Sequence, residues 1–214
     1  MDENIKHIEY LIAQGEGLQL DFKFNISDSR KIAKSFVAFA NTKGGTLLIG
    51  VKDNGAIAGI MSDEELFMLE AASNMYCKPE IKFIAKEWSI HQKTILEITV
   101  NESTDKPSFA QNEENKWLAY IRHFDKNILA NKVMLKVWER QKSKEGTFIR
   151  YKKEEEFLLH FLEDHPFITL THFCKLLQIP KHRAEKVLVN LICLKVIQIA
   201  YRDSGFSYSL ERVE

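Results

Sequence analysis

Apolar and polar residues change their spacing repeatedly along the first two thirds of the chain, and these changes predict a mixed α/β domain. Apolar residues between positions 5 and 12 recur at helical spacing and stop at Gly15, which predicts an N-terminal helix. In the segment 18–24 (LQLDFKF), Leu and Phe alternate with Gln, Asp and Lys, which predicts a strand with one buried face. Asp21 and Lys23 are expected to project together from the other face.

The segments that follow alternate between helical and strand patterns. Asn54-Gly55 lies between two buried runs and predicts a two-residue type I′ hairpin turn. The other predicted elements are a helix from capping candidates at 27–29 to about Asn41, strands within 44–60, a helix from Ser62 to about Tyr76, strands at 81–90 and 94–100, a polar loop at 101–116, a strand at 117–122 and a helix at 130–140.

A polar and basic stretch separates this domain from a second pattern. The second pattern predicts helices at 154–163, 170–177 and 182–194, then strands at 196–200 and 206–210 around a turn at 203–205. Three short helices followed by a hairpin resemble a winged helix-turn-helix. We therefore predict an α+β protein with an α/β domain at 1–140, a basic linker at 141–153 and a winged-helix-like domain at 154–214.

Composition restricts the function only weakly. The chain has 30 Lys and Arg against 30 Asp and Glu, so a nucleic-acid partner would have to be bound by local patches rather than by net charge. Its three cysteines give neither a disulfide framework nor a zinc pattern. The sequence contains no apolar run of membrane-spanning length and begins without a signal-peptide pattern, so a cytoplasmic location is expected.

Three sequence blocks in residues 15–61 resemble the Schlafen AlbA-2 family, which is associated with DNA binding. The blocks are GEGLQLDFKF, SFVAFANTKGGTLLIGV and KDNGAIAGI. Lys106-Pro107 and the strand Tyr120-Ile121-Arg122 extend the resemblance weakly to about residue 140. The family usually follows that Arg with a small turn that contains Gly, whereas here the turn reads His123-Phe124-Asp125.

The resemblance also implies a candidate nuclease site. Some relatives in the family are RNA endonucleases with three acidic residues, which correspond by motif to Glu16, Asp21 and Asp53. Such carboxylates would bind Mg²⁺ or Mn²⁺, and Lys23 would lie beside the attacking water. The alternatives are structural, because Glu16 could cap or pair, Asp21 and Lys23 could form an ion pair, and Asp53 could begin a turn.

Phosphate binding has a separate set of candidates. Gly44-Gly45 follows a helix rather than a strand, so it predicts a helix stop and not a nucleotide-binding loop. In the third helix of the second domain, Ala184, Val187, Leu188 and Leu191 form the predicted buried stripe. The candidate nucleic-acid-binding residues are Lys23, Lys43, Arg122, Lys181, Arg183, Lys186 and Asn190.

Three functions remain open from sequence. The leading one is a nucleic-acid-binding protein, as a DNA-binding transcriptional regulator would be. The second is a metal-dependent endoribonuclease that uses the acidic triad. The third is a scaffold or sensor whose winged helix holds a homodimer. The sequence does not discriminate DNA from RNA.

Overall fold

The structure is a computed structural model that describes residues 3–60, 64–143, 151–203 and 205–211. Predictions for the Ser62 cap, for linker residues 144–150 and for Ser204 in the last turn lie outside the described residues. The described helices are α1 (Glu3–Gln14), α2 (Ser29–Ala40), α3 (Glu64–Tyr76), α4 (Lys132–Lys142), α5 (Lys153–Asp164), α6 (Leu170–Leu177) and α7 (Lys181–Cys193). The described strands are β1 (Leu20–Lys23), β2 (Gly45–Ile49), β3 (Cys77–Lys78), β4 (Phe83–Ile90), β5 (Lys93–Val100), β6 (Phe109–Gln111), β7 (Trp117–Leu118), β8 (Tyr120–His123), β9 (Lys126–Leu129), β10 (Ile197–Arg202) and β11 (Gly205–Leu210).

A four-stranded sheet organises the N-terminal unit. Its strand order is β1-β2-β5-β4, with β1 and β2 parallel and the other pairs antiparallel. Helix α2 connects the two parallel strands, as a crossover between such strands requires. Three further strands form a small sheet in the order β3-β6-β7, and β8 pairs with β9.

Apolar clusters cover both faces of the main sheet. On one face, Phe22 and Leu48 pack with Ile8 of α1. On the other face, Leu47 and Ile49 pack with the buried side of α2. All six residues from Ser35 to Ala40 in α2 are buried, because the sheet, α3 and the short strands surround the helix.

The prediction that β1 buries only one face is wrong. Leu20 and Phe22 are buried as the alternation indicates, but Asp21 on the opposite face is only 3 % exposed. Helix α2 lies over that face, and the hydroxyl of Ser35 is 3.5 Å from Asp21 Oδ2. The neighbours of Asp21 on that face of the segment, Gln19 and Lys23, are also polar, so the sequence pattern indicated a face exposed to solvent.

The predicted two-residue turn at Asn54-Gly55 is also wrong. The Gly55 N–H bonds the Lys52 carbonyl at 2.7 Å, and the Lys52 N–H bonds the Ala56 carbonyl at 3.0 Å, which leaves a three-residue loop. Gly55 has φ of 80°, but Asn54 is not among the described residues with positive φ. A type I′ turn would need positive φ at both residues. Instead, positive φ at two consecutive central residues occurs at His91 and Gln92, between β4 and β5.

The C-terminal unit begins earlier than predicted. The chain divides into compact units at 1–130 and 131–214, so α4 belongs to the second unit rather than to the α/β domain. Val133 and Val137 of α4 share an apolar core with α5, α6 and α7. The Asn131 side chain caps α4 by accepting from Met134 N at 2.8 Å and donates to the Tyr208 hydroxyl at 3.1 Å.

The remaining elements of this unit follow the predicted order. Helices α5, α6 and α7 precede the antiparallel hairpin of β10 and β11, and residues 141 and 142 of the predicted linker extend α4. Among the described residues, no helix is both long enough and apolar enough to cross a membrane.

Candidate functional site

Two of the predicted acidic residues come together at the start of the main sheet. The loop after α1 places Glu16 so that its Oε1 accepts from the Phe22 N–H at 2.8 Å. The Glu16 carboxyl also forms a side-chain hydrogen bond with Asp21. Lys23 Nζ lies 2.9 Å from Asp21 Oδ2 and 2.7 Å from the Phe22 carbonyl. The structure therefore brings Glu16, Asp21 and Lys23 together in one charged cluster.

Arg122 holds this cluster from inside the unit. Its Nη2 lies 3.1 Å from Asp21 Oδ1, and its Nε donates to the Gly17 carbonyl at 3.0 Å. Its Nη1 donates to Asn127 Oδ1 at 2.9 Å, and its guanidinium lies over the Phe39 ring at 5.3 Å. The Arg122 side chain is 1 % exposed. The expectation that Arg122 binds nucleic acid is therefore wrong, since its donors are used within the fold.

The pKa values of the Glu16 and Asp21 carboxyls are shifted in opposite directions. Burial raises the pKa of Glu16, the hydrogen bond with Asp21 raises it further, and the Phe22 N–H opposes this rise. Burial alone would raise the pKa of Asp21, but the hydrogen bond from Glu16 and the charges of Lys23 and Arg122 lower it overall. The pair thus favours a protonated Glu16 that donates to an ionised Asp21.

The third predicted carboxylate does not join the pair. Asp53 is exposed in the loop after β2. Within residues 3–60, 64–143, 151–203 and 205–211, no group of three His, Cys, Asp or Glu side chains is arranged to hold a metal ion. Asp21 already accepts from two cations and is nearly inaccessible. These residues do not fit a three-carboxylate site for Mg²⁺ or Mn²⁺.

Two other predicted residues of this unit lie at the surface. Lys43 is exposed just after α2, and its carbonyl accepts from Gln19 Nε2 at 2.8 Å. Gly44 next to it has φ of 68°, and its N–H donates a hydrogen bond to the Phe39 carbonyl at 2.9 Å. The left-handed conformation of Gly44 therefore closes the turn that follows the Asn41 cap of α2.

Sequence reasoning missed the structural role of Asn41 and Thr42, which lie in the SFVAFANTKGG block. Asn41 is buried, donates to the carbonyls of Ser108 and Tyr120 at 2.9 Å each, and accepts from the Ser108 N–H at 2.8 Å. Thr42 Oγ1 donates to the Ala38 carbonyl at 2.7 Å and accepts from the Arg122 N–H at 2.8 Å. The block thus ties α2 to later strands.

In the C-terminal unit, α7 presents a short exposed segment. Lys181, Arg183 and Lys186 are exposed as predicted, and the predicted buried stripe is buried. The expectation for Asn190 is wrong, because α4 covers the C-terminal half of α7 and Arg140 Nη1 donates to Asn190 Oδ1. Arg183 forms an ion pair with Glu154 at the start of α5.

Helix α4 adds cations to the C-terminal unit, whereas the predicted domain boundary had placed this helix in the α/β domain. Lys136 Nζ lies 2.6 Å from Glu185 Oε2, and Glu185 is itself buried. Counted over residues 131–214, the sequence has 15 Lys and Arg against 11 Asp and Glu. The unit that contains α7 is therefore basic, although the shorter segment after residue 150 is neutral.

The family model for Schlafen, AlbA_2 matches residues 16–131. No curated protein matches the chain. Among solved structures, the DIP2311 protein from Corynebacterium diphtheriae is 17 % identical with a TM-score of 0.46, and the match covers 75 % of this chain but only 39 % of that one. The N-terminal domain of a RecG-related protein from Nitrosomonas europaea, solved by solution NMR, is 19 % identical with a TM-score of 0.43, and the match covers 71 % of this chain and all of that domain.

Proposed function

Because the chain belongs to the Schlafen, AlbA_2 family, we propose that it is a nucleic-acid-binding protein whose C-terminal unit makes the principal contacts. The observation that carries the proposal is the exposed N-terminal half of α7, with Lys181, Arg183 and Lys186 at the surface. Residues 187–191 of the same helix are buried. In helix-turn-helix proteins, the N-terminal residues of the second helix contact base edges in the major groove.

The geometry between α6 and α7 supports a helix-turn-helix interpretation. Gln178 ends α6 in the left-handed conformation, and Pro180 precedes the first residue of α7, so three residues form the turn. Such a turn length is typical of the motif. An antiparallel bridge between Ile168 and Tyr208 adds a third short segment to the hairpin of β10 and β11, as the winged version of the motif has.

The acidic cluster of the N-terminal unit favours binding over cleavage. Asp21 is committed to Arg122 and Lys23, and Asp53 lies apart in an exposed loop. A metal-dependent nuclease would need carboxylates that converge in an open groove. We therefore assign the cluster a structural role.

The finer proposal is a DNA-binding transcriptional regulator. Lys181 is exposed at the first position of α7, where its ammonium group can donate to the acceptors of guanine in the major groove. Competition of a labelled DNA duplex against unlabelled random duplex and against RNA measures this preference. Equal competition by the random duplex and by the RNA would restrict the function to non-specific nucleic-acid binding.

The main test is the salt dependence of binding to labelled duplex DNA and single-stranded RNA. The logarithm of the association constant should fall linearly with the logarithm of salt concentration, because bound cations displace counterions from phosphates. The variant Lys181→Glu/Lys186→Glu should bind about ten-fold more weakly or worse at ~0.1 M salt. Its matched control is Lys82→Glu/Lys86→Glu, which reverses two exposed charges in the N-terminal unit. A wild-type protein that binds no DNA or RNA at low salt would discard the proposal.

A further inference from the structure

A charged cleft of about 290 Å³ lies between α4, α5 and α7 of the C-terminal unit. Four cationic side chains from these elements line it, together with two acidic ones. The cations are Arg140, Lys152, Arg183 and Lys186, and the acids are Glu154 and Glu155. Pockets for small ligands start at about this volume, which suits a phosphate group with part of its sugar.

The acids in this cleft are already engaged. Glu154 forms the ion pair with Arg183, and Glu155 Oε2 accepts from the Lys152 backbone N–H at 3.2 Å. Both glutamates are buried, at 9 % and 3 % exposure. Glu154 therefore neutralises one of the four cations, and Glu155 is held by the backbone of the turn.

The other three cations lack a carboxylate partner. In the part of the chain that the structure describes, neither Lys152 nor Lys186 forms an ion pair, and Arg140 bonds only the neutral amide oxygen of Asn190. Cations drawn from three elements toward one cleft repel one another unless an anion joins them. The excess of donors thus points to an anionic ligand.

The first turn of α5 forms one side of the cleft and has no side-chain cap. Its N-cap residue is Lys152, which supplies no side-chain acceptor to the free N–H groups of the turn. Ser, Thr, Asp or Asn usually fills this role. The first turn already holds the carboxylates of Glu154, Glu155 and Glu156, which interact favourably with the positive end of the helix dipole, so attraction of an anion to the cleft depends on its side-chain cations.

We propose that this cleft is a phosphate-binding site that fixes the C-terminal unit on nucleic acid. The inference rests on the proposed function and names the group that this surface recognises, a phosphodiester of the backbone. A phosphate on a free nucleotide has the same chemistry, so the experiment separates the two sources. Glu154 acts as an internal competitor, since a bound phosphate and its carboxylate both attract Arg183.

The test compares two charge-neutralising double variants by binding to labelled duplex DNA and single-stranded RNA across salt concentrations. The cleft variant is Arg140→Gln/Lys152→Gln, in which the amide that replaces the guanidinium retains a donor for Asn190. The control is Lys132→Gln/Lys153→Gln, which removes two exposed charges from α4 and α5 outside the cleft. Circular dichroism and thermal melting establish that both variants fold as the wild type does.

We expect the cleft variant to bind about ten-fold more weakly and its salt slope to fall by roughly one per cation removed. The control should lose no more than about two-fold. Glu154→Gln should strengthen binding by about two- to three-fold, because Arg183 is then freed for the phosphate. Weaker binding by Glu154→Gln, or equal losses in both double variants, would overturn the proposal.

A second arm titrates wild type with inorganic phosphate and with adenosine 5′-monophosphate, followed by NMR. Saturable binding that the cleft variant loses would support the site and assign it to a free phosphate. Absence of such binding, together with the loss of DNA or RNA affinity above, assigns it to the backbone. If wild type binds no nucleic acid, the proposed function fails, and this arm alone decides the cleft, with no binding counting against it.

Discussion

Arg122 and Arg183 carry the same guanidinium group, but the two units of the molecule use it in opposite ways. The Arg122 side chain is 1 % exposed and bonds a carboxylate, an amide and two carbonyls of its own unit. The Arg183 side chain is 54 % exposed and has one described ion pair, with Glu154. The first residue belongs to the segment that identifies the family, and the second lies outside that segment.

This contrast separates the residues that stabilise the fold from those that we propose to contact a partner. The polar residues of the family segment, Asn41, Thr42 and Asp21, make hydrogen bonds inside the unit. Buried polar groups need such partners, so these positions are restricted by the fold itself. The exposed Lys181 and Lys186 of the C-terminal unit carry no such restriction, and we propose that they contact the ligand.

The largest expected effect is the loss of the buried pair between Arg122 and Asp21. Arg122→Gln leaves the Asp21 carboxylate without its buried cation and should lower the free energy of unfolding by about 3–5 kcal/mol. Urea unfolding at neutral pH measures this. The control Lys126→Gln, at the exposed first residue of β9, should change stability by less than about 0.5 kcal/mol.

The reciprocal variant sharpens the same comparison. Asp21→Asn should also be strongly destabilising, because it leaves the Arg122 guanidinium buried without its carboxylate. A catalytic Asp21 would instead tolerate this substitution in stability and lose metal-dependent cleavage of RNA or DNA. A stable Asp21→Asn protein, with cleavage by wild type in Mn²⁺, would reverse our assignment of the cluster.

The next effect concerns the hydrogen bonds of Asn41. Asn41→Ala removes three bonds, with Ser108 N–H and with the Ser108 and Tyr120 carbonyls, and buries the freed groups. We expect a loss of about 2–3 kcal/mol in the free energy of unfolding. Asn112→Ala, in the exposed turn after β6, breaks side-chain bonds to Glu114 and Lys116 N–H at the surface and should cost clearly less. Equal losses in the free energy of unfolding would indicate that the buried hydrogen bonds of Asn41 stabilise the fold no more than the surface bonds of Asn112.

A smaller effect tests the corrected hairpin. Gly55→Val should destabilise by about 1–2 kcal/mol, because φ of 80° is strained for a β-branched residue. Its Cβ would also lie 2.8 Å from Ile12 Cγ2 of α1. Asn54→Ala loses only the bond to Ala56 N–H and should cost less than about 1 kcal/mol. If both variants lose the same amount in thermal unfolding, the two-residue turn is the better description.

The elements were largely predictable from the sequence, because helix and strand periodicities reflect burial directly. The alternation in 18–24 indicated the position of β1, and the predicted order of three helices before a hairpin is the observed one. Burial of Asp21 was not predictable, since its partner Arg122 lies 101 residues away in sequence. The position of α4 was not predictable either. Its packing in the C-terminal unit depends on the hydrogen bond between Asn131 and Tyr208 and on the ion pair between Lys136 and Glu185.

The candidate site was predictable only in part for the same reason. The family resemblance implied that Glu16 and Asp21 belong together, and the alternation placed Lys23 on the same face as Asp21. The three residues lie close together because they are on one short strand and the loop before it. It could not show that Asp53 stays apart, since that depends on the direction of the loop after β2. The exposed cations of α7 followed from helical periodicity, whereas the covering of Asn190 by α4 did not.

The smallest expected effect is a change in pH dependence at Glu16. Its pKa is raised above the ordinary value of 4.5, so the protonated form is favoured in the folded state. The resulting stabilisation is fully present below the pKa of the unfolded chain and is lost as pH rises through the folded pKa. The lowered pKa of Asp21 has the opposite effect, since its contribution to stability is present above its unfolded pKa and is lost as pH falls through its folded pKa.

Glu16→Gln imitates the protonated carboxyl, because its amide donates to Asp21 while its oxygen accepts from the Phe22 N–H. Relative to wild type, the variant should therefore gain stability as pH rises from 4.5 toward neutrality, while Asp21 stays ionised in both proteins. Urea unfolding at a series of pH values measures the difference, and Glu9→Gln, on the exposed side of α1, is the control. A difference that does not vary with pH would mean that Glu16 and Asp21 share no proton, and the cluster would then depend on Arg122 and Lys23 alone.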